Sequence, residues 1–379
     1  MDFRLTEEQA MFRQIVADFV DREVIPVAAE LDEREEFPWE LFRKIAQQGW
    51  LGIRYPEAYG GGEADNTTFN LMCEELARGS LALAATVAMQ ALMGTDFIYR
   101  FGTEAQKERF LVPAIRGEKI GSIAMTEPEA GSDLGGILTT AVRDGDGYRL
   151  KGAKMWITSA TVADFFTVAA KTDPDAGFRG VDLFLVEKER EGVSVGRMIK
   201  KLGTRASETS EVILDEVWVP QENLLSETEG QGMVLLRGIL DEIRVMTGAL
   251  SVGLAQAALN SALRYAGERQ AFGRPIIKFQ AIQHKLADMA TQLEVARTMV
   301  YRATWLIDQG QPDTKISAMA KLFASEMANH VADEATRIFG AYGYAMEFDV
   351  QRYYRDARFL LYGGGTSEIL KNMIARELT

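Results

Sequence analysis

Three short stretches of the sequence place hydroxyl, aromatic and arginine side chains at spacings that suit a bound ligand. The first, AMTEPEAGSDLGG at 124–136, packs Thr126 and Ser132 among small residues. Backbone amides beside hydroxyls suit an anionic or heteroaromatic ligand, although an ordinary loop of turn-forming residues has the same composition. The stretch is therefore a candidate binding loop.

The other two stretches combine aromatic side chains with polar or charged neighbours. KMWITSA at 154–160 sets Trp156 beside a hydroxyl, which can sandwich a flat cofactor, although a core tryptophan gives the same pattern. ERQAFGRP at 268–275 sets Arg269 and Arg274 on either side of Phe272. Bidentate arginines beside an aromatic ring suit a nucleotide diphosphate, and a solvated charged helix face is the alternative.

Composition and missing motifs exclude several classes of protein. The 379-residue chain carries a net charge of −13, which argues against nucleic acid or an anionic membrane as a partner. It contains no glycine-rich phosphate loop, no metalloprotease motif and no hydrolase nucleophile elbow. Its two histidines, His284 and His330, lie far apart, and its single cysteine, Cys73, is expected to be a packed core thiol. We therefore expect no metal site, no P-loop and no catalytic triad.

The elements that position these residues fall into three zones. Residues 1–118 carry helical periodicity, residues 119–227 form short β-branched and aromatic runs between turn signals, and residues 228–379 return to longer helices. Helices are predicted at 233–268, 279–308, 314–339 and 366–377. Because helices and strands do not alternate, the pattern predicts an α+β fold: an N-terminal helical domain, a middle β domain and a C-terminal four-helix bundle.

The N-terminal region indicates where the protein resides. The sequence MDFRLTEEQAMFRQ leads directly into an amphipathic helix, without the basic and apolar regions of a signal peptide. The apolar stretch LALAATVAMQALMG is too short and too rich in alanine to span a bilayer. We therefore expect a cytoplasmic protein that does not insert into membranes.

In this order and spacing, the stretches resemble the acyl-CoA dehydrogenase family over the whole chain. The resemblance also includes LGTRASETSEVILDEVWVP at 202–220, LDEIR at 240–244, GAYGY at 340–344 and YRDAR at 354–358. It implies non-covalently bound FAD, an acyl-CoA substrate, a homotetramer, and electron transfer to an electron-transfer flavoprotein.

The resemblance also implies roles for individual residues, carried over by position. The residues expected at the isoalloxazine ring are Met125, Thr126, Trp156, Ile157 and Thr158, with Ser132 shared between the flavin and the CoA thioester. The residues expected at the adenosine diphosphate of a neighbouring subunit's FAD are Arg269, Phe272, Gln280, Arg337 and Gly340. Arg337 lies where the family often has a glutamine, and an arginine at this position still suits a phosphate. Asp241 and Arg244 are expected at the CoA moiety, and Thr366 and Glu368 at the flavin.

One expected part, the catalytic base, is missing. The family removes an α-proton with a glutamate that in most members lies just before GTSEI, where this chain has Gly364, and in others just before the arginine of LDEIR, where it has Ile243. Glu242 is adjacent, but one residue turns a helical side chain by about 100°. A positioned base contributes about 10²–10⁴-fold, so a working α,β-dehydrogenase requires a substitute.

Asp96, in MQALMGTDFIYRFG, is the candidate substitute. The segment corresponds to the one that lines the acyl pocket in the family, and burial among apolar residues should raise the pKa of the carboxyl group. Alternatively, Asp96 caps a helix that begins at Phe97. With a capping role, Asp96→Asn is expected to change stability by less than about 1 kcal/mol.

A base displaced toward the acyl tail resembles the subgroup that acts on cyclohex-1-ene-1-carboxyl-CoA, in which a 1,4-elimination gives a conjugated diene. Because Gly364 has no side chain, it also leaves room for the ring of such a substrate, and we therefore include Gly364 among the expected substrate-binding residues. Two alternatives stay open: an ordinary dehydrogenase of a short or branched acyl-CoA that uses Glu242, Asp241 or another relocated carboxylate, and a flavoprotein that does not dehydrogenate its acyl-CoA or is catalytically silent.

Overall fold

The computed structural model describes residues 4–226 and 228–378, and its secondary structure follows the predicted order of helices, strands and helices. The N-terminal helices are α1 Glu7–Phe19, α2 Ile25–Arg34, α3 Trp39–Gln47, α4 Asn66–Gly79, α5 Leu81–Ala88, α6 Asp96–Phe101, α7 Glu104–Gln106 and α8 Val112–Ile115. Polar side chains cap some of these helices: Thr6 and Gln9 form a capping box at α1, and Asp65 caps α4. Three of the helix junctions are single π-helical turns, at Val20–Val24, Met89–Met93 and Lys107–Leu111.

The middle strands form one seven-stranded sheet. They are β1 Gly121–Ala124, β2 Thr140–Asp144, β3 Gly147–Thr158, β4 Phe165–Lys171, β5 Val181–Glu187, β6 Val193–Val195 and β7 Thr209–Pro220. The order is β1-β4-β2-β3-β7-β6, with β5 antiparallel to β4. Phe165, Phe166 and Phe184 fill the core on β4 and β5, so apolar burial holds these strands together.

The C-terminal part is a bundle of long helices. Its elements are α9 Gly232–Glu268, the hairpin strands β8 Gln270–Ala271 and β9 Arg274–Pro275, α10 Gln280–Asp308, α11 Thr314–Phe339, α12 Asp349–Ala357 and α13 Ser367–Arg376. Small residues such as Ala255, Ala258 and Ala262 of α9 are fully buried, which allows the helices to approach closely. The predicted α+β organisation is confirmed, while α12 was not predicted.

Charged contacts join the three parts around α12. Arg355 pairs with Asp32 of α2 at 2.5 Å, and Asp356 accepts a hydrogen bond from the Thr204 amide at 2.6 Å. Burial raises the pKa of Asp356 to about 6. These contacts fix the β domain and the N-terminal helices against the bundle.

One helical stretch, Leu81–Phe101, is long and apolar enough by composition to cross a membrane. However, 94% of the most apolar 18 residues of this stretch are buried inside the fold. The stretch is continuous through α5, a π-turn and α6, and so is longer than the apolar run read from the sequence. Its burial identifies it as a core element of this fold.

Candidate active site

The three glycines at 363–365 form the turn that leads into α13. Gly364 and Gly365 have φ angles of +72° and +105°, which L side chains rarely adopt. The fully buried Lys321 of α11 donates from Nζ to the Gly365 carbonyl at 2.7 Å, and the Thr366 hydroxyl caps α13 by accepting from the Ile369 amide. Burial lowers the pKa of Lys321 to about 8. The sequence analysis did not identify Lys321, which holds this turn in place.

The two positions that customarily hold the base lie next to each other in space. A Cβ atom added at Gly364 would lie 3.1 Å from Thr247 Oγ1 and 3.8 Å from Ile243 Cγ2. Ile243 is only 3% exposed. The fold therefore brings the two base positions together, and an apolar side chain and a hydroxyl lie closest to the Gly364 position.

The two carboxylates closest in sequence to Ile243 are both engaged elsewhere. Glu242 pairs with Arg54 and with Arg100 at 2.5 Å. Asp241 accepts from Arg244 Nη1 and from Thr314 Oγ1, each at 2.8 Å. Both carboxylates are thus held by cationic or hydroxyl partners, which disfavours either as a relocated base.

Asp96 belongs to the same buried ion cluster as Glu242. It is 2% exposed, and its Oδ2 lies 2.6 Å from Arg100 Nε while its Oδ1 lies 3.9 Å from Arg54 Nη2. Burial raises the pKa of Asp96 above its ordinary value, although both arginines act in the opposite direction. The direction predicted from the sequence is therefore confirmed.

The capping interpretation of Asp96 is wrong. Asp96 is the first residue of α6, and Thr95 stands at the cap position, where the structure gives no capping side-chain hydrogen bond. Its carboxylate instead balances two guanidinium groups. Removing one member of a buried ionic cluster leaves an uncompensated charge and costs about 3–5 kcal/mol. For Asp96→Asn we therefore expect a larger loss of stability than the capping role predicted.

Asp241 and Arg244, the residues expected at the CoA moiety, pair with each other on α9. The Arg244 side chain also contacts Met373 Sδ at 3.4 Å, and its Nε is buried without a hydrogen-bond partner within the described part of the chain. A buried guanidinium nitrogen without a partner is costly. The Arg244 Nε therefore retains a hydrogen-bond donor for which the described residues supply no acceptor.

The candidate flavin loop is held against β3 by a backbone hydrogen bond from Met155 to the Thr126 carbonyl at 2.8 Å. One extra residue in β3, between the pairs Lys154–Val212 and Ile157–Ser210, forms a bulge that contains Trp156. Trp156 has φ of +64° and is 58% exposed. A non-glycine residue in this conformation is strained, and such strain concentrates at binding sites.

The other residues expected at the ring surround this bulge or lie on the loop. Met125, Thr126 and Thr158 are half-buried and Ser132 is exposed, whereas Ile157 is buried in the core, so that only its backbone is left to contact a ligand. Glu368 is exposed in the first turn of α13.

A buried ion pair that sequence reasoning missed supports the loop. Lys154 Nζ donates to Glu127 Oε1 at 2.7 Å and to the Met125 carbonyl at 3.2 Å, while Glu127 also accepts from the Thr139 amide at 3.0 Å. Burial lowers the pKa of Lys154 to about 8. The one sequence signal for this ion pair was the charged Lys154 within a run that otherwise has the composition of a strand.

The hairpin between α9 and α10 presents its residues to the outside. Phe272 is 97% exposed with φ of +49°, and Arg269 stacks over Tyr342 at 5.6 Å. Gln280 at the start of α10 and Gly340 after α11 are also exposed. The exposed Arg337 side chain pairs through Nε with Asp333 on the same helix at 2.6 Å.

Comparison with known proteins covers the whole chain. Models of the acyl-CoA dehydrogenase N-terminal, middle and C-terminal domains match residues 6–118, 122–217 and 230–379. The chain is 53% identical to benzylmalonyl-CoA dehydrogenase of Aromatoleum aromaticum over 100% of both chains. It is 41% identical to 3-(aryl)acrylate reductase of Clostridium sporogenes over 98% of this chain and 99% of the other. The structure of butyryl-CoA dehydrogenase of Megasphaera elsdenii matches with a TM-score of 0.97 at 38% identity over 100% of both chains.

Proposed function

Because the chain belongs to the acyl-CoA dehydrogenase family, we propose that it oxidises an acyl-CoA whose α carbon carries a carboxylate, as benzylmalonyl-CoA does. The observation that carries the proposal is the pair Gly364 and Ile243, which leaves both base positions without a carboxylate. A substrate that loses CO₂ from the α carbon needs no base there.

The reaction balances without proton abstraction. The bond between the α carbon and the carboxylate breaks, CO₂ leaves, and the electron pair of that bond forms the α,β double bond as a hydride departs from the β carbon. Benzylmalonyl-CoA would give phenylacryloyl-CoA. Two similar proteins, one named for a benzylmalonyl thioester and one for arylacrylates, support an aryl group on the β carbon.

FAD is the cofactor, and the residues present fit it. The exposed, strained Trp156 offers an aromatic surface beside Thr126, and the outward Phe272 and Arg269 suit an adenosine diphosphate. When bound, FAD accepts the hydride from the β carbon. Met125, Thr158, Ser132, Thr366 and Glu368 would complete the flavin contacts, and Gln280, Arg337 and Gly340 the diphosphate contacts.

The chain's own residues would bind and orient the substrate. Arg244, with its unpartnered Nε, would contact the CoA moiety together with Asp241. Gly364 leaves room for the α-carboxylate where a glutamate side chain would otherwise stand. Lys321 fixes the turn that contains this space. Orientation of this kind supplies much of a catalytic rate enhancement.

Deuterium at the α carbon of benzylmalonyl-CoA tests the proposal. If CO₂ takes the place of the proton, the α-deuterium stays on the double bond of the product. If a base first removes the α-hydrogen and CO₂ leaves afterwards, the deuterium exchanges with water. Anaerobic flavin bleaching, CO₂ release and the mass of the product are measured together.

The deuterium content of recovered substrate controls for spontaneous exchange. We expect equal amounts of CO₂ and reduced flavin, with deuterium retained. Loss of deuterium from the product but not from the recovered substrate refutes the base-free reaction, as does flavin reduction without CO₂.

A second candidate is dehydrogenation of a cyclic enoyl-CoA, such as cyclohex-1-ene-1-carboxyl-CoA, with Asp96 as the displaced base. The raised pKa of the buried Asp96 carboxyl group favours it. Its ion pairs with Arg54 and Arg100 hold the carboxylate in place, which is why this reaction ranks second. Flavin bleaching by the cyclic substrate, without CO₂, would support it.

Assembly and electron transfer complete the proposal. A homotetramer would cover Phe272, which is almost fully exposed in one chain, and would bring Arg269 to a neighbouring subunit's FAD. Electrons would then pass to an electron-transfer flavoprotein in the cytoplasm. Reduction of such a protein by the substrate-reduced enzyme is the corresponding assay.

A further inference from the structure

We infer that Ile243 sets the specificity for decarboxylation, because the surface around Gly364 leaves the α-carboxylate of the substrate unsolvated. This inference rests on the proposed function. It concerns the wall of the space that a base would otherwise occupy, formed by Ile243, Thr247 and Gly364.

The wall offers no side-chain donor among the atoms nearest to that space. The three atoms closest to a Cβ at Gly364 are Thr247 Oγ1, Thr247 Cβ and Ile243 Cγ2, at 3.1, 3.7 and 3.8 Å. The Thr247 hydroxyl donates its single proton to the Ile243 carbonyl at 2.8 Å. It therefore presents only lone pairs to the space, and an alkyl group forms the rest.

The cations nearby in sequence or in space each have a partner or a proposed role elsewhere. Lys321 is fully buried and donates to the Gly365 carbonyl. Arg244 pairs with Asp241 through Nη1, and its unpartnered Nε is the donor proposed for the CoA moiety. Arg54 and Arg100 bind Glu242 on α9. A carboxylate beside Ile243 would thus find no donating hydroxyl and no cation without another partner or role.

An unsolvated carboxylate favours loss of CO₂. A carboxylate moved out of water without a hydrogen-bond partner is strongly destabilised. As the carbon–carbon bond breaks, its electron pair forms the α,β double bond and the negative charge leaves with the hydride from the β carbon, so the destabilisation of the carboxylate is relieved in the transition state. The ground state is raised more than the transition state, and the barrier falls.

Ile243→Gln tests the inference, because it replaces an apolar side chain by one of similar size that donates two hydrogen bonds. Ile243→Met, of similar length but without a donor, separates the effect of the donor from that of shape. Val234→Gln places the same amide on an exposed position of the same helix and serves as the surface control. Each variant is assayed as FAD-loaded enzyme with benzylmalonyl-CoA.

We expect kcat for CO₂ release to be at least ten-fold lower in Ile243→Gln than in Ile243→Met, with a KM that is unchanged or lower, because the added donor stabilises the bound carboxylate. If Ile243→Gln does not fold, Ile243→Asn carries the same donor on a shorter stem. Equal or higher kcat in the amide variants overturns the inference while leaving the proposed function intact. A wild-type enzyme that releases no CO₂ overturns both.

Discussion

Installing a base at Gly364 should change which substrate the enzyme accepts. In Gly364→Glu the new Cβ would lie 3.1 Å from Thr247 Oγ1 and 3.8 Å from Ile243 Cγ2, so its carboxylate would enter the space that the α-carboxylate of the substrate is proposed to use. The variant should gain α,β-dehydrogenation of phenylpropanoyl-CoA, which carries a proton there, and lose oxidation of benzylmalonyl-CoA.

The magnitudes favour a measurable switch. A side chain at φ of +72° costs about 1–2 kcal/mol, and the close contact with Thr247 adds to this strain. A positioned base contributes about 10²–10⁴-fold, or about 3–5 kcal/mol, which exceeds the backbone strain. Two carboxylates about 4 Å apart repel by about 4 kcal/mol at an effective dielectric constant of 20, which corresponds to a loss of about 10³-fold for the carboxylated substrate.

Anaerobic flavin bleaching with the two acyl-CoA esters is the assay, and Gly364→Gln is the matched control. Glutamine brings the same strain and nearly the same volume, but it accepts no proton. If Gly364→Glu folds, retains FAD and oxidises phenylpropanoyl-CoA no faster than Gly364→Gln, the view that only a carboxylate is missing at this position is refuted.

Two further predictions concern the ion cluster and the hairpin. Asp96→Asn should lower the free energy of unfolding by about 3–5 kcal/mol, since Arg54 and Arg100 lose a counter-charge. With benzylmalonyl-CoA, the flavin of this variant should still be reduced about as fast as that of Glu242→Gln, which removes a charge from the same cluster. A rate of flavin reduction about 10²-fold or more below that control would establish Asp96 as a base. Phe272→Ala should weaken FAD retention and subunit assembly together, as measured by flavin content and light scattering, and monomers with full FAD would contradict this.

Local patterns predicted most of the secondary structure because the relevant forces act within a few residues. The β-branched and aromatic run at residues 210–220 and the helical period of residues 314–339 match β7 and α11 closely. Helix α12 was not predicted because its buried face contains Arg352 and Asp356. Charged residues on a buried face remove the apolar periodicity by which an amphipathic helix is recognised. The flavin loop and the two base positions were identified by their place in family motifs.

The capping role of Asp96 was predicted wrongly because most of its ion cluster is remote in sequence, although Arg100 lies only four residues away. Its position directly before a helix expected to begin at Phe97 indicated a helix cap, which is a local feature. Arg54 and Glu242 meet across 188 positions of the chain, and no periodicity in the sequence encodes that contact. Lys321, which approaches Gly365 from α11, was overlooked for the same reason.

A catalytically silent FAD-binding scaffold would share the flavin site and would differ from the proposed enzyme only in turnover. Trp156 is held in a strained conformation, which persists only where surrounding contacts enforce it, and the buried pair Lys154 and Glu127 holds the neighbouring loop through the Met125 carbonyl. Arg244 retains an unpartnered buried nitrogen. A flavin and a CoA ester are the ligands that we propose for this site, and the carboxylates around Ile243 are paired with arginines. With no carboxylate at Gly364 or Ile243, the proposed reaction takes its electrons from the bond between the α carbon and its carboxylate in place of a carbon–hydrogen bond at the same carbon.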